Sequence, residues 1–372
     1  MQTTFVEQSV NARTTRVDEA FVPLVSVIIL NYNGSKWLER CLESLKAQTI
    51  FSQLEVILAD NRSADGSDLL AVRLIEGWNN GRFIQNGANL GFCEGNNRPA
   101  AQARGEFLFF LNNDTWLEPG CMEMLVGEVR ARGAQGGGPL VLNYADDSFQ
   151  SLGAEGFDVF GLPSPLRPWS HVQPVLMPEG CAFLIERRVF VEIGGFNADF
   201  FMYADEYDLA VRAWIAGHRL VAVPAARLHH RGAANVNPKG AGAVEEFRTS
   251  AQVRFFSNRN CLLLWLQNAQ HLFFVVAFLQ VAMLFLESLI ALVLIRDVKF
   301  VKKAYYAAVA DCWRLRSNIF TTRKRVARYR RRGDGWMLRF LGWRLSRWQQ
   351  FQMVRAMGIP KVNARPKGNP AK

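Results

Sequence analysis

The sequence is sparing with cysteine, and no two cysteines are close. Six stand at positions 41, 93, 121, 181, 261 and 312, never nearer than 28 residues, so no Cys-x-x-Cys metal or redox pair exists. That scatter suits a reduced compartment better than a disulfide-stapled fold. The first 22 residues are polar and lack the apolar core of roughly 7 to 15 residues that a secretory signal needs, so a body folded in the cytosol is expected. Acidic residues are scarce at one end. Residues 296–372 hold 21 Lys or Arg against 3 Asp or Glu, whereas residues 1–295 carry a net charge of −7, so the overall +11 describes a tail. No internal repeat is evident. What is plentiful is apolar character: 49% of the 372 residues are hydrophobic, which excludes a disordered chain, and the length allows two or three folding units.

Residues 25–30, VSVIIL, form an apolar, β-branched run that ends at Asn31-Tyr32-Asn33-Gly34, after which Trp37, Leu38, Cys41, Leu42 and Leu45 recur at helical spacing. This predicts strand, loop, helix. The pattern repeats with Leu54 to Ala59 before a polar loop at 60–67, with Phe83 and Ile84 before Asn86, and with Phe107 to Leu111 before Asn112. Such alternation implies an α/β class with a mainly parallel, Rossmann-like sheet covered on both faces. Ligands bind at the carboxyl ends of strands in these sheets, and every polar loop just named falls there. A stretch rich in Gly, Pro and polar residues, 143–179, precedes another apolar run, Cys181 to Ile185. Then come Gly194-Gly195-Phe196, an acidic cluster opening a helix that ends near Gly217, a short strand Leu220 to Val223, and His229-His230. Residues 232–244 read as a linker or a loop over the site.

Beyond residue 260 the character changes. Residues 272–295 are predominantly apolar, interrupted by Gln280 and Glu287. At ~1.5 Å per residue they could cross a hydrocarbon core of ~30 Å. Positive charge follows only on the far side, at Arg296, Lys299, Lys302 and Lys303 and then in the cluster 323–332, which places that end in the cytosol. A single crossing would put the body outside, against the missing signal and the unpaired cysteines. Attachment at the cytoplasmic face of the cell membrane is therefore expected, through a re-entrant hairpin, an even number of crossings or an in-plane helix. A further helix is expected over Trp336 to Val354, with three tryptophans among arginines, lying on an anionic membrane surface. The competing reading is a soluble helical subdomain with a basic, solvated face.

Five segments between about Val25 and His230 carry a resemblance: VSVIILNYNG, ADNRSADGS, NLGFCEGNN, LFFLNNDT and GGFNADFFMYADEYDLAVR. In order and spacing they resemble the successive motifs of family 2 glycosyltransferases, most of all the rhamnosyltransferase-like branch. The resemblance implies a GT-A fold and inverting transfer of a sugar from a nucleotide-diphosphate donor. It also implies a lipid-linked or polysaccharide acceptor in cell-surface glycan synthesis, and a divalent cation, Mg²⁺ or Mn²⁺. The chain then divides into a flexible tail over 1–22, a GT-A domain over 23–245 and a basic, helical, membrane-associated region over 246–372.

The resemblance assigns Asp60 to a ring N–H of the donor base, with an Asx turn closing the strand as the structural alternative. Asn31 and Asn33 are expected to let the backbone approach ribose and base, and Asn89, Gly91 and Asn96 to meet sugar or phosphate through amides at a helix start. Asp114 follows a buried apolar run, where a carboxylate is costly unless paired or metal-bound. The resemblance makes it the last residue of an Asp-x-Asp metal motif, with Asn112 standing where relatives carry the first carboxylate. One carboxylate plus substrate phosphates suffices for Mg²⁺. His230 falls where relatives place a histidine near the metal, and the adjacent His229 leaves the choice open. Asp205-Glu206-Tyr207-Asp208 supplies three carboxylates at a helix start. The position matching the usual base is Glu206, with Asp205 as the other candidate, while Asp208 anchors the helix or binds acceptor. Two other classes compete. The arginine cluster raises a nucleic-acid-binding protein, although its apolar and Trp/Arg context suits lipid phosphate better. Asn112 and the reversed Asp-Glu order raise a catalytically degenerate scaffold.

Overall fold

The computed structural model describes residues 22–232 and 248–362. The expected tail up to residue 21 and the expected linker from residue 233 onward lie outside the described residues. The apolar runs form β1 (Val25–Asn31), β2 (Leu54–Asp60), β3 (Gly81–Gln85) and β4 (Phe107–Asn112), joined by helices α1 (Leu38–Lys46), α2 (Ser67–Leu74) and α3 (Gly91–Ala100). Then follow β5 (Thr115–Leu117), α4 (Cys121–Ala131), β6 (Gly136–Asn143), β7 (Phe149–Ser151), β8 (Ala154–Phe157), β9 (Pro163–Pro165), β10 (Gln173–Pro174) and β11 (Ala182–Glu186). Helices α5 (Arg187–Glu192) and α6 (Asp205–Ile215) lead to β12 (Leu220–His230).

The main sheet has the order β10-β12-β6-β11-β4-β1-β2-β3, with β5 on β12 and β7 on β6. β3, β2, β1 and β4 run parallel, as do β6 and β12. β11 departs from the expected parallel order and is antiparallel to both β4 and β6. No helix intervenes between β6 and β11, so the chain re-enters the sheet at the end it left, whereas a parallel return needs a crossover. β12 is much longer than the four residues expected. Its pairing with β6 shifts register between Val223 and Arg227, around Pro224, which cannot donate to the ladder.

Period-two alternation sorts the sheet's side chains between two cores. Val27, Ile29, Val56, Leu58, Phe109 and Leu111 pack with α1 and α4 on one face. Ile28, Ile57, Leu108 and Phe110 pack on the other, with α6 and the C-terminal helices. Those helices are α7 (Ala251–Asn268), α8 (Phe274–Ile295), α9 (Val298–Val301), a π-helical turn Lys302–Tyr306, α10 (Ala307–Arg314), α11 (Arg316–Tyr329), α12 (Asp334–Met337) and α13 (Ser346–Met357). Leu263, Leu264 and Trp265 of α7 share one buried cluster with Tyr207, Val211 and Trp214 of α6. The helical region thus completes the core of the sheet domain.

Two expectations about the tail are corrected. Trp336 to Val354 is not one helix: α12 ends in a 3₁₀ turn, Leu338–Phe340, and residues 341–345 cross to β8, where Gly342 N–H donates to Phe157 O at 2.7 Å, before α13 begins. The backbone amide is drawn to a strand carbonyl in place of a helical one. Nor does the whole arginine cluster lie free for headgroups. Arg323 donates to the carbonyls of Leu266 and Ala269, Arg330 to Asn268, and Arg332 to Trp214, Gly217 and His218. These side chains staple α11 to the body.

α8 is one continuous helix, long and apolar enough to cross a membrane. One face, including Gln280, Met283, Leu284, Ser288 and Ala291, is buried against the protein, while Phe278, Phe285, Leu289 and Val293 are exposed. Glu287 pairs with Arg347 of α13 at 2.7 Å, which answers the cost of a charge within the apolar run.

Candidate active site

The strand ends β1, β2 and β4 meet in a hydrogen-bonded polar layer. Asn31 donates to Asp60 Oδ2 and to Ser67 Oγ, both at 2.8 Å, and accepts from Asn113 Nδ2 at 2.8 Å. Asn33 takes a positive φ of 54°, and its side-chain oxygen accepts from Ala64 N–H at 2.8 Å. Asp60 is buried and also accepts from Ser63 N–H (2.8 Å), Ser63 Oγ (2.6 Å) and Gln85 Nε2 (3.1 Å). The Asx turn of the structural alternative is therefore present. Gln85 is exposed, so it is the donor a ligand can displace. Asp65 organises the next turn. Burial works against its ionisation, but hydrogen bonds from Ser67 and Ser35 outweigh that and hold its carboxyl at about 2.

Asp114 and His230 meet because β5 pairs with β12 in a register that sets Thr115 opposite His230. His230 Nε2 lies 3.4 Å from Asp114 Oδ1. Ligand atoms in adjacent octahedral positions, each ~2.1 Å from a divalent cation, stand about 3 Å apart, so this pair fits a shared cation. On the other ring nitrogen, Nδ1 is 3.0 Å from Gln150 Oε1. An Nδ1–H donated there leaves the Nε2 lone pair facing Asp114, the tautomer a metal ligand requires. Burial opposes protonation of His230, yet the neighbouring Cys181 sulfur and the Asp114 carboxylate hold its pKa well above the usual histidine range. His229 points to the opposite face of the strand. It stacks on Trp116 at 3.6 Å with Nε2 3.1 Å from Glu118, which makes it a structural residue. Among the described residues no group of three or more His, Cys, Asp or Glu side chains gathers as a metal site. Any cation would draw its remaining ligands from substrate and water.

The third element is the start of α6. Burial, with the nearby Asp208 charge adding to it, pushes Asp205 up to about 7, while backbone amides pull in the other direction. Burial likewise pushes Glu206 well above the carboxylate range, helped by Asp205 and Glu179. Two residues join this acidic pair to the cation pair. Gly180 packs so closely on Glu206 that a Cβ there would lie 2.9 Å from Cδ, and the next residue, Cys181, hydrogen-bonds His230. Cys181 O also accepts from the N–H of Asn112 at 2.9 Å.

Other expected contacts are corrected. Asp208 is fully buried and spent on Arg212 (2.6 Å) and Asn268 (2.8 Å), so it anchors the helix and presents nothing to an acceptor. Asn96 is buried and donates to Phe92 O within α3. The amides opening α3 are also taken: Gly91 N–H donates to Asn89 Oδ1 at 3.0 Å, and Phe92 N–H to Phe201 O at 2.6 Å. Gly91, at φ +73° with a would-be Cβ 2.4 Å from Phe201 O, is required for that close approach.

Sequence reasoning missed the clamp beneath the acids. Phe201, Tyr203 and Ala204 all have positive φ, of 61°, 70° and 57°. Asn260 of α7 donates to the carbonyls of Phe200 (2.9 Å), Met202 (2.7 Å) and Tyr203 (2.8 Å), and Arg259 to those of Asp199 (2.6 Å) and Phe200 (3.1 Å). The only signal was the polar run Asn258-Arg259-Asn260 beside the apolar stretch Leu262 to Trp265 in one helix.

The fold is a mixed α/β sheet with polar strand ends, where a carboxylate–imidazole pair and an acidic pair stand. The chain belongs to glycosyl transferase family 2, whose model matches residues 26–194. It is 30% identical over 239 residues to N-acetylglucosaminyl-diphospho-decaprenol L-rhamnosyltransferase of Mycobacterium tuberculosis, covering 56% of this chain and 76% of that protein. A putative glycosyltransferase, EpsH of Bacillus subtilis, is 36% identical over 104 residues, 28% of this chain and 30% of that one. Among solved structures the fold is similar to GalNAc-T7 with UDP, GalNAc and Mn²⁺, with TM-score 0.61 and 17% identity over 93% of this chain and 60% of that one. It is also similar to the mannosyltransferase PcManGT of Pyrobaculum calidifontis in complex with GDP-Man and Mn²⁺, with TM-score 0.50 and 15% identity over 87% and 90%. The chain is a glycosyltransferase with a GT-A fold.

Proposed function

We propose that this enzyme transfers a sugar, with inversion, from a nucleotide-diphosphate donor to a lipid-linked glycan at a membrane surface. The observation that carries the reading is that neighbouring residues touch the two pairs, Gly180 packing on Glu206 and Cys181 interacting with His230. Asp60 takes the donor base, Gln85 giving way, with Asn31, Asn33 and Asn89 shaping that wall. Asp114 and His230 hold a divalent cation, Mn²⁺ or Mg²⁺, which when bound neutralises charge on the departing diphosphate. Glu206 removes the proton from the acceptor hydroxyl, and Asp205 shares that proton before the acceptor arrives. The rhamnosyltransferase relative supports rhamnose as the sugar and a polyprenyl diphosphate carrier as the acceptor. The exposed apolar face of α8 supports in-plane membrane attachment.

The test is a donor screen by thermal shift with Mn²⁺ present. A donor at 100 times its dissociation constant should stabilise the protein by ~2.7 kcal/mol. No response to any nucleotide sugar, with or without cation, would leave a catalytically inert scaffold as the better reading.

A further inference from the structure

The hairpin between β6 and β7 carries a row of side-chain hydrogen bonds that ends on His230. Asp146 Oδ1 accepts from Ser148 Oγ at 2.7 Å, and Ser148 Oγ in turn accepts from Asn143 Nδ2 at 2.7 Å. Asn143 Oδ1 accepts from Gln150 Nε2 at 3.1 Å, and Gln150 Oε1 lies 3.0 Å from His230 Nδ1. Asn143 closes β6 and Gln150 is the middle residue of β7, its antiparallel neighbour, so the turn between them brings the two amides together. Gly232 leaves room for the Gln150 amide: it sits at φ +55°, and a Cβ there would stand 2.7 Å from Nε2.

The direction of every bond in the row follows from its first member. A carboxylate only accepts, so the single hydroxyl proton of Ser148 goes to Asp146 and the serine oxygen takes its other bond from an N–H. That turns the NH₂ of Asn143 toward Ser148 and its oxygen toward Gln150. The Gln150 NH₂ faces that oxygen, and it also lies 3.5 Å from the His230 carbonyl, a second acceptor. What Gln150 offers the imidazole is therefore an oxygen, which calls for a proton on Nδ1. Turning over Asn143 alone would set NH₂ against NH₂, and turning over Gln150 alone would set oxygen against oxygen. Turning over both would leave the Asn143 oxygen against a serine whose proton is already given.

We propose that Gln150 and Asn143 are positioning residues of the cation site: the row rooted at Asp146 keeps a proton on His230 Nδ1, so that Nε2, 3.4 Å from Asp114 Oδ1, is the nitrogen that offers its lone pair to a divalent cation. The inference rests on the Asp114–His230 cation site proposed above. Its strength falls along the row, because Gln150 is partly buried whereas Ser148 and Asp146 are exposed, where water competes for the same bonds.

Two measurements on the full chain test it, with melting curves to establish the fold of each variant. The first needs no metal. Nitrogen NMR shifts of isotope-labelled histidine in the cation-free protein, taken where the imidazole is neutral, report which ring nitrogen carries the proton. His230→Gln assigns the resonance. The wild type should hold the proton on Nδ1, and Gln150→Leu and Asn143→Leu should move it toward Nε2. The second is affinity for Mn²⁺ alone, read from the electron paramagnetic resonance of the free ion. Gln150→Leu should weaken it by about 10- to 100-fold, the usual cost of losing the partner behind a metal-bound histidine, and Asn143→Leu by less. Gln150→Glu still accepts from Nδ1–H and should restore both the shift and the affinity. A wild-type proton on Nε2 would overturn the inference while leaving the cation site standing. So would a Gln150→Leu or Asn143→Leu variant that matches the wild type in both measurements. Mn²⁺ binding indifferent to Asp114→Asn marks the other failure, that of the cation site itself, and the inference falls with it.

Discussion

Adjacent histidines divide their work because successive strand residues face opposite sides: His229 packs on Trp116, and His230 faces Asp114. The sequence alone left that choice open, since it depends on how β12 pairs with β5. Asp114→Asn should abolish cation-dependent stabilisation by a nucleotide diphosphate while leaving the unliganded melting temperature nearly unchanged; retained dependence would remove Asp114 from the cation site. Glu206→Gln should lower turnover by roughly 10² to 10⁴, the usual range for a lost general base, with little change in donor affinity. The acidic pair also sets a pH dependence. The proposed base acts as its anion, and burial raises Asp205 to about 7 and Glu206 well above the carboxylate range, so kcat/KM should rise with pH through neutrality. A profile flat down to pH 5 would contradict the assignment. Stability runs the opposite way. The native state keeps a proton that the unfolded chain loses above an ordinary Asp pKa of ~3.9, so stability falls as pH rises from there to about 7. Asp205→Asn should therefore gain in relative melting temperature between pH 5 and pH 8.

Elements were legible where periodicity decides them. β1, β2 and β4 follow their apolar runs to within a residue, and α8 covers most of the predicted apolar stretch. Reading failed where tertiary partners decide. The Trp336 to Val354 pattern was helical in composition, yet Gly342 pairs with Phe157 and breaks it. Phe92 N–H likewise looked free because its partner, Phe201 O, lies about 110 residues away, while Asn96 and Gly91 N–H are taken by the local partners Phe92 O and Asn89 Oδ1. α7 holds the least legible feature of all, the Asn260 clamp on the backbone before Asp205 and Glu206. Left-handed non-glycine residues cost of order 1–3 kcal/mol each and persist only when held. Asn260→Ala should thus lower kcat by about tenfold or more while donor affinity changes little, and reduce stability by roughly 1–3 kcal/mol. Steady-state kinetics and melting check both; an unaltered kcat would make the clamp merely structural.

Across the whole molecule, the C-terminal helices share one core with the sheet domain. Three of their arginines, Arg323, Arg330 and Arg332, are committed to carbonyls of the body, and the proposed membrane attachment is assigned to the exposed face of α8. Phe278→Glu together with Phe285→Glu should reduce co-sedimentation with anionic liposomes while preserving donor binding in detergent, because neither side chain supports the core. Undiminished sedimentation would return the membrane role to the exposed cations Lys324, Arg328 and Arg331. We propose that cation site and base form one transfer centre for a lipid-linked acceptor. The most direct test is nucleoside diphosphate release from a nucleotide sugar by the full chain with a polyprenyl-diphosphate-linked sugar and Mn²⁺. We predict acceptor-stimulated release that chelation abolishes and Glu206→Gln nearly abolishes. Release indifferent to acceptor, chelator and Glu206 would contradict it.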